Sequence, residues 1–302
     1  MTRRSNEERL GMPTTGAKQS DEAPPVFDAP ENSTENNNSL SYVVPTEIVE
    51  LPSQGKFYPE GHPLHQVNEI EIKEMTAKEE DILTTESFIR KGILFDRLLA
   101  SLIVDKSIKT EDLLVGDRNA LLVAARISGY GAAYPTEVAC PVCDEIYENH
   151  EFDLALCSCK ELVDVETTED EDLSGYVAQS LDGNFLITLP KSRVTLEVKL
   201  LTGRDELGIA HSQEMKRKKK LPESPLTEHM KRVTVSINGV ADSIQVDRFI
   251  KSMPASDSQF FRKTIRKLTP NLDMTQEFVC DNCGHEQDLE VPITPRFFWP
   301  DS

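Results

Sequence analysis

The sequence lacks the features that mark a membrane-spanning or secreted protein. No run of about eighteen apolar residues occurs, which argues against a transmembrane helix. Residues 1–16 contain basic side chains but no apolar core, so they do not resemble a secretory signal, and we expect the chain to fold in the cytosol. Thiols stay reduced there, and paired cysteines bind metal more often than they form disulfides.

Positive charge is also scarce. The chain has 33 Lys and Arg against 52 Asp and Glu, a formal net charge of −19, whereas a nucleic-acid-binding protein needs a basic face. Residues 144–182 hold thirteen acidic side chains and one basic one, Lys160, a local net charge of −12. Runs of like charge are usually solvated, so we expect an exposed acidic loop there.

Catalytic motifs are absent as well. The sequence contains no glycine-rich phosphate loop, no nucleophile elbow and no helical His-Glu-x-x-His, and its six histidines are scattered. We therefore predict a protein that is not an enzyme, with no catalytic residues and no small-molecule substrate.

The first part of the chain divides into a polar arm and a helical region. Residues 1–42 are rich in Ser, Thr, Asn, Pro and charge, which predicts a disordered arm, and residues 43–300 are predicted to form the folded domain. In residues 70–72, apolar side chains alternate with an acidic one, which is typical of a strand. Helical spacing then covers about 76–128, where Thr76 and Glu79 form a capping box. Three glycines divide this region into about three helices: Gly92, Gly116 and Gly129.

Strand patterns dominate after residue 130. Apolar and polar side chains alternate in residues 183–189 and 193–201, on either side of Pro190, which predicts a hairpin. A second hairpin is predicted by the strand patterns at 233–237 and 243–246, which flank the turn sequence Asn238-Gly239. Further helices are predicted to begin at Thr202 and at Pro254. The fold class is therefore α+β, with a helical N-terminal half, antiparallel hairpins and a split zinc-ribbon-like site.

Two Cys-x-x-Cys turns are the strongest local signal. Cys140 and Cys143 form one pair, Cys280 and Cys283 form the other, and a strand pattern flanks each pair on both sides. Two such turns supply the four thiolates of a tetrahedral structural Zn²⁺ site. The predicted halves of the zinc ribbon cover about 134–156 and 275–293.

The separation of the pairs is unusual, because more than a hundred residues lie between them. Loop closure becomes only logarithmically more costly with length, so a zinc site closing a long insertion is feasible. Two alternatives remain at this point, namely buried reduced thiols and a redox-active dithiol.

Four further residues lie near the proposed ligands. Cys157 and Cys159 are two apart, so on a strand they would share a face, and we interpret them as ordinary strand thiols, although either could join the metal site. His150 and His285 follow the two cysteine pairs and are left out of the site.

Two other segments allow two interpretations each. The basic run at 216–220 could meet phosphate or an acidic partner, but in an acidic chain we expect it to contact the acidic segment 144–182 or solvent. The aromatic run Phe297-Phe298-Trp299 either anchors the chain end in the core or fills a pocket of a partner.

The chain resembles the baseplate hub-assembly proteins of T-even-type contractile-tailed bacteriophages. The resemblance rests on the order of several segments: LPSQGKFYPEG, EMTAKEEDIL, LLVGDRNALLVAARISGYGAAYPTEVACPVC and CDNCGHEQDLEVPITPRFFWP. These segments fall within residues 43–300, and the arm lies outside the resemblance.

The resemblance implies a non-enzymatic structural component or assembly factor of the baseplate hub, whose partners are other tail baseplate or hub proteins. It implies a location in the host cytoplasm during assembly and in the virion tail baseplate. A different class of function stays open, namely a zinc-ribbon adaptor in phage or host gene expression.

Overall fold

The structure, a computed structural model, describes residues 44–168, 170, 173–180, 183–293 and 295–298. The predicted disorder of residues 1–42 therefore lies outside the described residues. No described helix combines the length and the apolar character that a membrane crossing would require.

The described residues form an α+β fold. Helices occupy most of residues 77–130 and return after residue 200: α1 Ala77–Thr84, α2 Glu86–Lys91, α3 Leu94–Leu102, α4 Val115–Tyr130, α5 Gly203–Lys218, α6 Pro225–Val233, α7 Ser243–Ser252 and α8 Ala255–Leu268. Short strands separate them: β1 Thr46–Glu50, β2 Glu69–Lys73, β3 Ala133–Ala139, β4 Ile146–Asp153, β5 Ser158–Cys159, β6 Val177–Gln179, β7 Phe185–Thr188, β8 Thr195–Val198, β9 Thr234–Ile237, β10 Leu272–Asp273, β11 Thr275–Val279 and β12 Glu286–Glu290. The predicted fold class is confirmed.

All the described sheets are antiparallel and small. Four of them are two-stranded, pairing β1 with β2, β3 with β4, β5 with β10, and β11 with β12. The fifth has the order β6-β7-β8-β9. The predicted hairpin around Pro190 is confirmed as β7 and β8.

The hydrophobic side chains gather into two clusters. The first joins α1, α3 and α4 to the β1–β2, β3–β4 and β11–β12 hairpins. The second fills the space between the four-stranded sheet and α6, α7 and α8. Phe57 and Leu200 pack against both clusters. The second cluster belongs to the long insertion between the two cysteine pairs.

A short ladder forms the neck of this insertion. The chain leaves along β5 and returns along β10, with Cys159 opposite Leu272. The amide of Lys160 then donates to the carbonyl of Asn271 at 2.9 Å. Backbone hydrogen bonds therefore join the segment that follows the β3–β4 hairpin to the segment that precedes the β11–β12 hairpin.

A buried carboxylate ties the loop after β1 to α4. Asp117 is fully buried and accepts hydrogen bonds from the amide and hydroxyl of Ser53, at 2.9 and 2.6 Å, and from the Tyr58 hydroxyl at 2.7 Å. Burial raises the pKa of Asp117, although these hydrogen bonds oppose the shift. Buried polar groups are stable only when paired, and this network meets that condition.

Helix starts were predicted well. Thr76 and Glu79 form the capping box at α1, and Thr202 caps α5 with Asp205 as its reciprocal partner. Pro254 is the N-cap of α8. Side chains that bond to free backbone amides at a helix start are a local signal, so the sequence alone reveals them.

Two of the three glycines were assigned wrongly. Gly92 does end α2 in the left-handed region, at φ +67°. Gly116 and Gly129 instead lie inside α4, and four helices span the region where about three were expected. A Cβ on Gly116 would lie 1.9 Å from the Pro270 carbonyl oxygen, so this glycine permits close packing and does not end a helix.

The second predicted hairpin was half wrong. The Asn238-Gly239 turn is present, with φ values of +47° and +80°, but its return strand is the single bridge residue Val240. Residues 243–246 begin helix α7, which Asp242 caps by accepting the amide of Ile244 at 3.0 Å. Val246 and Ile250 are buried one helical turn apart.

Candidate metal centre

Two hairpins carry the cysteine pairs. In the first, β3 pairs with β4 and Cys140 directly follows β3, and in the second, β11 pairs with β12 and Cys280 directly follows β11. Each Cys-x-x-Cys segment forms the turn between its two strands, as the flanking strand patterns predicted.

The two turns use the same backbone hydrogen bonds. The Cys140 amide donates to the Glu145 carbonyl at 2.8 Å, and the Asp144 amide donates to the Cys140 carbonyl at 3.0 Å. In the second turn the Cys280 amide donates to the His285 carbonyl at 2.9 Å, and the Gly284 amide donates to the Cys280 carbonyl at 2.8 Å.

The residue after each pair lies in the left-handed region. Asp144 has φ +56° and Gly284 has φ +68°. Glycine adopts this conformation without strain and aspartate tolerates it, so both sequences suit the turn.

The four thiols converge although their pairs are far apart in sequence. All four sulfur atoms lie within 4.8 Å of one another. Across the hairpins, Cys140 Sγ lies 3.7 Å from Cys283 Sγ, and Cys143 Sγ lies 3.6 Å from Cys280 Sγ. Sulfur atoms at these distances are not disulfide-bonded, since an S–S bond is about 2.05 Å long.

This spacing suits a tetrahedral metal site. With Zn–S bonds of about 2.3 Å, the edges of a regular tetrahedron of sulfur atoms measure about 3.8 Å. The observed cross-hairpin distances of 3.7 and 3.6 Å are close to that value. The residues present therefore fit a metal ion bound by four thiolates.

The cluster has a buried side and an open side. Cys140 and Cys280 are fully buried and belong to the first hydrophobic cluster, whereas Cys143 is half-buried and Cys283 is exposed. An ion can therefore reach the thiols from the Cys283 side. Once bound, it would lie against the core.

Tyr147 contacts the thiol cluster. Its hydroxyl oxygen lies 3.4 Å from Cys280 Sγ and accepts the Asp281 amide at 2.8 Å. The ring packs edge-on against Phe278, with 5.3 Å between ring centroids. Tyr147 on β4 thus links the first hairpin to the second turn.

The thiols differ in acidity. The Tyr147 hydroxyl, with nearby backbone amides, lowers the pKa of Cys280 to about 6. At Cys283 the His285 amide acts to lower the pKa, but desolvation and the neighbouring cysteines outweigh it and raise the pKa to about 12. Deprotonation of one thiol is therefore favoured. The nearby thiols oppose deprotonation of a second one unless a bound cation neutralises the negative charge.

The other candidate ligands lie outside this cluster. Cys159 pairs with Leu272 in the neck, and Cys157 is half-buried beside the first hydrophobic cluster. The His150 ring packs edge-on against Phe152 and Phe278. Neither these two cysteines nor His150 or His285 belongs to the group of converging ligand atoms.

In the part of the chain that the structure describes, the ion pairs of the basic run go to α5 and α6, and Arg217, Lys218, Lys219 and Lys220 are exposed, in agreement with the solvent alternative. Lys216 pairs with Glu228 on α6 at 2.6 Å, and Lys218 pairs with Glu214 on its own helix at 2.7 Å. The segment 144–182 is not simply a loop, because its first part forms β4. Its described acids are exposed except for Asp170, which is half-buried and pairs with Lys267.

The aromatic run is anchored in the core at its first two residues. Phe297 and Phe298 are both fully buried, and Trp299 lies outside the described residues. Phe297 packs edge-on against Tyr134, with 5.0 Å between centroids, and Phe298 contacts Phe95 at 6.1 Å. For the two phenylalanines, the core interpretation is the right one.

Sequence reasoning missed the side chain that fixes this end. Arg126 on α4 is 1% exposed and donates from Nε to the Phe297 carbonyl at 2.9 Å. It also donates to the carbonyls of Gly131 and Ala133, at 2.7 and 3.0 Å. The buried residues of α4 also include Asp117 and Arg118, so the charge of Arg126 did not single it out in the sequence.

Comparison with known proteins places the chain in a family. No curated protein matches the chain, and no solved structure matches it. The profile of one protein family, described as T4 bacteriophage base plate protein, matches residues 44–299. This match covers the whole region in which the described helices, the two hairpins and the thiol cluster lie. The chain therefore belongs to the family of T4 bacteriophage base plate proteins.

Proposed function

We propose that the chain is a non-enzymatic structural component or assembly factor of the phage baseplate hub, stabilised by a zinc ion bound to Cys140, Cys143, Cys280 and Cys283. The convergence of these four thiols carries the metal part of the proposal. Membership of the base plate family and the resemblance to hub-assembly proteins support the hub part.

The proposed ion has a structural role. Four thiolates complete a tetrahedral zinc site and leave no position for water or substrate. The ion would join two hairpins that are separated by the whole insertion. Because ligands are assembled only in the folded chain, the binding free energy of the metal adds to the stability of the fold.

A nucleic-acid adaptor is less well supported. Neither hairpin carries a basic side chain on its strands, whereas phosphate contacts need cations. Their exposed side chains include many acids: Glu137, Glu148, Glu151, Asp153, Glu277, Glu286, Asp288 and Glu290.

Metal analysis of the purified chain tests the zinc site. We expect about one zinc per chain, as for a closed four-thiolate site. Replacing Cys280 and Cys283 by Ser should remove the zinc and lower the melting temperature. The matched control replaces Cys157 and Cys159 by Ser, which changes two thiols outside the cluster and should leave both values unchanged. Full zinc occupancy in the Cys280→Ser, Cys283→Ser protein would refute the site.

The hub role needs a separate test. Cryo-electron microscopy of tail assemblies made with the tagged chain should place its density at the hub. Density elsewhere in the baseplate would overturn the hub assignment and leave the zinc site unaffected. If baseplates form normally in its absence, the assembly role is refuted.

A further inference from the structure

The described part of this acidic chain contains a groove lined by cations. It has a volume of about 750 Å³ and lies between β2, α1, α2, α3 and the loop after α3. Its charged lining consists of four basic side chains and no carboxylate: Lys73, Lys78, Arg97 and Lys106. This is contrary to the composition of the chain, in which acids outnumber bases by 52 to 33.

The positive charge of the groove is only partly neutralised. Lys73 pairs at 2.8 Å with Glu79, which is fully buried and does not line the groove. Lys106 bonds to main-chain carbonyls at the end of α3, including that of Ala100 at 3.0 Å. Lys78 and Arg97 are exposed, and no carboxylate of the described residues forms an ion pair with either.

The cations are close enough to affect one another. Burial lowers the pKa of Lys106, and the charges of Lys73 and Lys78 lower it further. An anion in the groove would relieve this repulsion between like charges.

The floor of the groove is apolar. Ile82 and Phe88 are half-buried, Ile103 is buried, and Val104 is 43% exposed. The Arg97 guanidinium lies over the Phe88 ring, 5.9 Å from its centroid. A partner that fills the groove must therefore bring apolar surface as well as negative charge.

We infer that this groove binds an acidic peptide segment of a partner protein, with an aliphatic or aromatic side chain on the apolar floor and carboxylates near Lys78, Arg97 and Lys106. Such a segment matches both the charge and the apolar surface of the groove. A nucleic acid fits less well, because its many phosphates would be repelled by a chain of net charge −19. This inference goes beyond the proposed function and does not depend on the zinc site.

A methyl NMR titration of the full chain tests the groove. Ile82 and Ile103 are the reporters inside it, and Ile146 and Ile244 are exposed isoleucines outside it. The probe is a synthetic peptide in which glutamates alternate with leucines. We expect saturable shifts at the two reporters only, with affinity falling as salt is raised. A lysine–leucine peptide should cause none.

Charge reversal provides the matched variants. Changing Lys78 and Arg97 to Glu should weaken binding of the acidic peptide at least about tenfold. The control changes Lys219 and Lys220 to Glu, which alters the net charge equally outside the groove and should leave the affinity unchanged. If the protein with both residues changed to Glu does not fold, the protein with Lys78 and Arg97 changed to Gln removes the two charges without reversing them.

Three results would overturn the inference. The first is the absence of reporter shifts with the acidic peptide, and the second is unchanged binding in both groove variants. The third is stronger binding of inorganic phosphate or of a short single-stranded DNA at the same reporters, which would make the groove a phosphate site.

Discussion

Replacing Phe297 by Ala tests whether the aromatic chain end belongs to the core. The Phe297 side chain is fully buried and packs edge-on against Tyr134 and Phe298. Removing it forfeits the transfer free energy of a buried aromatic ring, leaves a cavity and breaks two aromatic contacts. Together these effects should lower the free energy of unfolding by about 3–5 kcal/mol.

This substitution removes only a side chain. The hydrogen bond from Arg126 Nε goes to the Phe297 backbone carbonyl, which alanine keeps. The chain end therefore stays tethered, and the measured loss reports on packing. For a domain of this size each 1 kcal/mol lowers the melting temperature by about 2–4 °C, so a decrease of about 6–20 °C is expected.

Thermal and urea unfolding followed by circular dichroism measure the effect. The matched control is Leu156→Ala, because Leu156 is 67% exposed and its loss should change stability by no more than about 0.5 kcal/mol. A Phe297→Ala protein that unfolds like this control would refute the core interpretation. Normal unfolding together with failed baseplate assembly would assign the ring to a partner interface instead.

Three further substitutions test other parts of the structure. Tyr147→Phe should weaken zinc binding by about tenfold in chelator competition, because it removes the hydroxyl that contacts the proposed ligand Cys280, and such contacts raise metal affinity. An unchanged zinc affinity would show that this contact is unimportant. Asp117→Ala should lower the free energy of unfolding in urea by about 3 kcal/mol, because it leaves buried donors of Ser53 and Tyr58 unpaired. A decrease of less than about 1 kcal/mol would contradict this. At Glu79, burial acts to raise the pKa, but hydrogen bonds from Lys73, Ser101 and Thr76 outweigh it and lower the pKa to about 2. The ionised carboxylate therefore stabilises the fold above its unfolded pKa near 4.5, and this stabilisation is lost as the pH falls toward 2. Unfolding at several pH values should show a smaller loss between pH 5 and pH 2 in Glu79→Gln than in the parent protein.

Local signals allowed much of the fold to be predicted. The capping box at Thr76, the helix start at Thr202, the hairpin around Pro190 and the strands beside each cysteine pair depend on residues within a few positions of one another. Their preferences act before tertiary contacts form, so the sequence alone is sufficient to identify them.

The two errors have different causes, a distant packing contact in one case and two competing local patterns in the other. Gly116 reads as a helix breaker, but it is a packing position, because the Pro270 carbonyl lies where a side chain would be. Ile244 and Val246 alternate as in a strand, but the cap at Asp242 and the burial of Val246 and Ile250 favour a helix. The Pro270 contact is not visible in a short window of sequence, whereas the Asp242 cap is a local signal that the alternating pattern outweighed.

The sequence by itself determined the four cysteines of the candidate site, the two Cys-x-x-Cys turns and the α+β class, because each depends on residue chemistry and local spacing. Only the tertiary structure decided that the two turns meet, that Tyr147 reaches Cys280, and that Arg126 holds the backbone of Phe297. These contacts join residues more than a hundred positions apart. Such residues approach one another only when burial of the whole hydrophobic core offsets the conformational entropy lost by the chain between them.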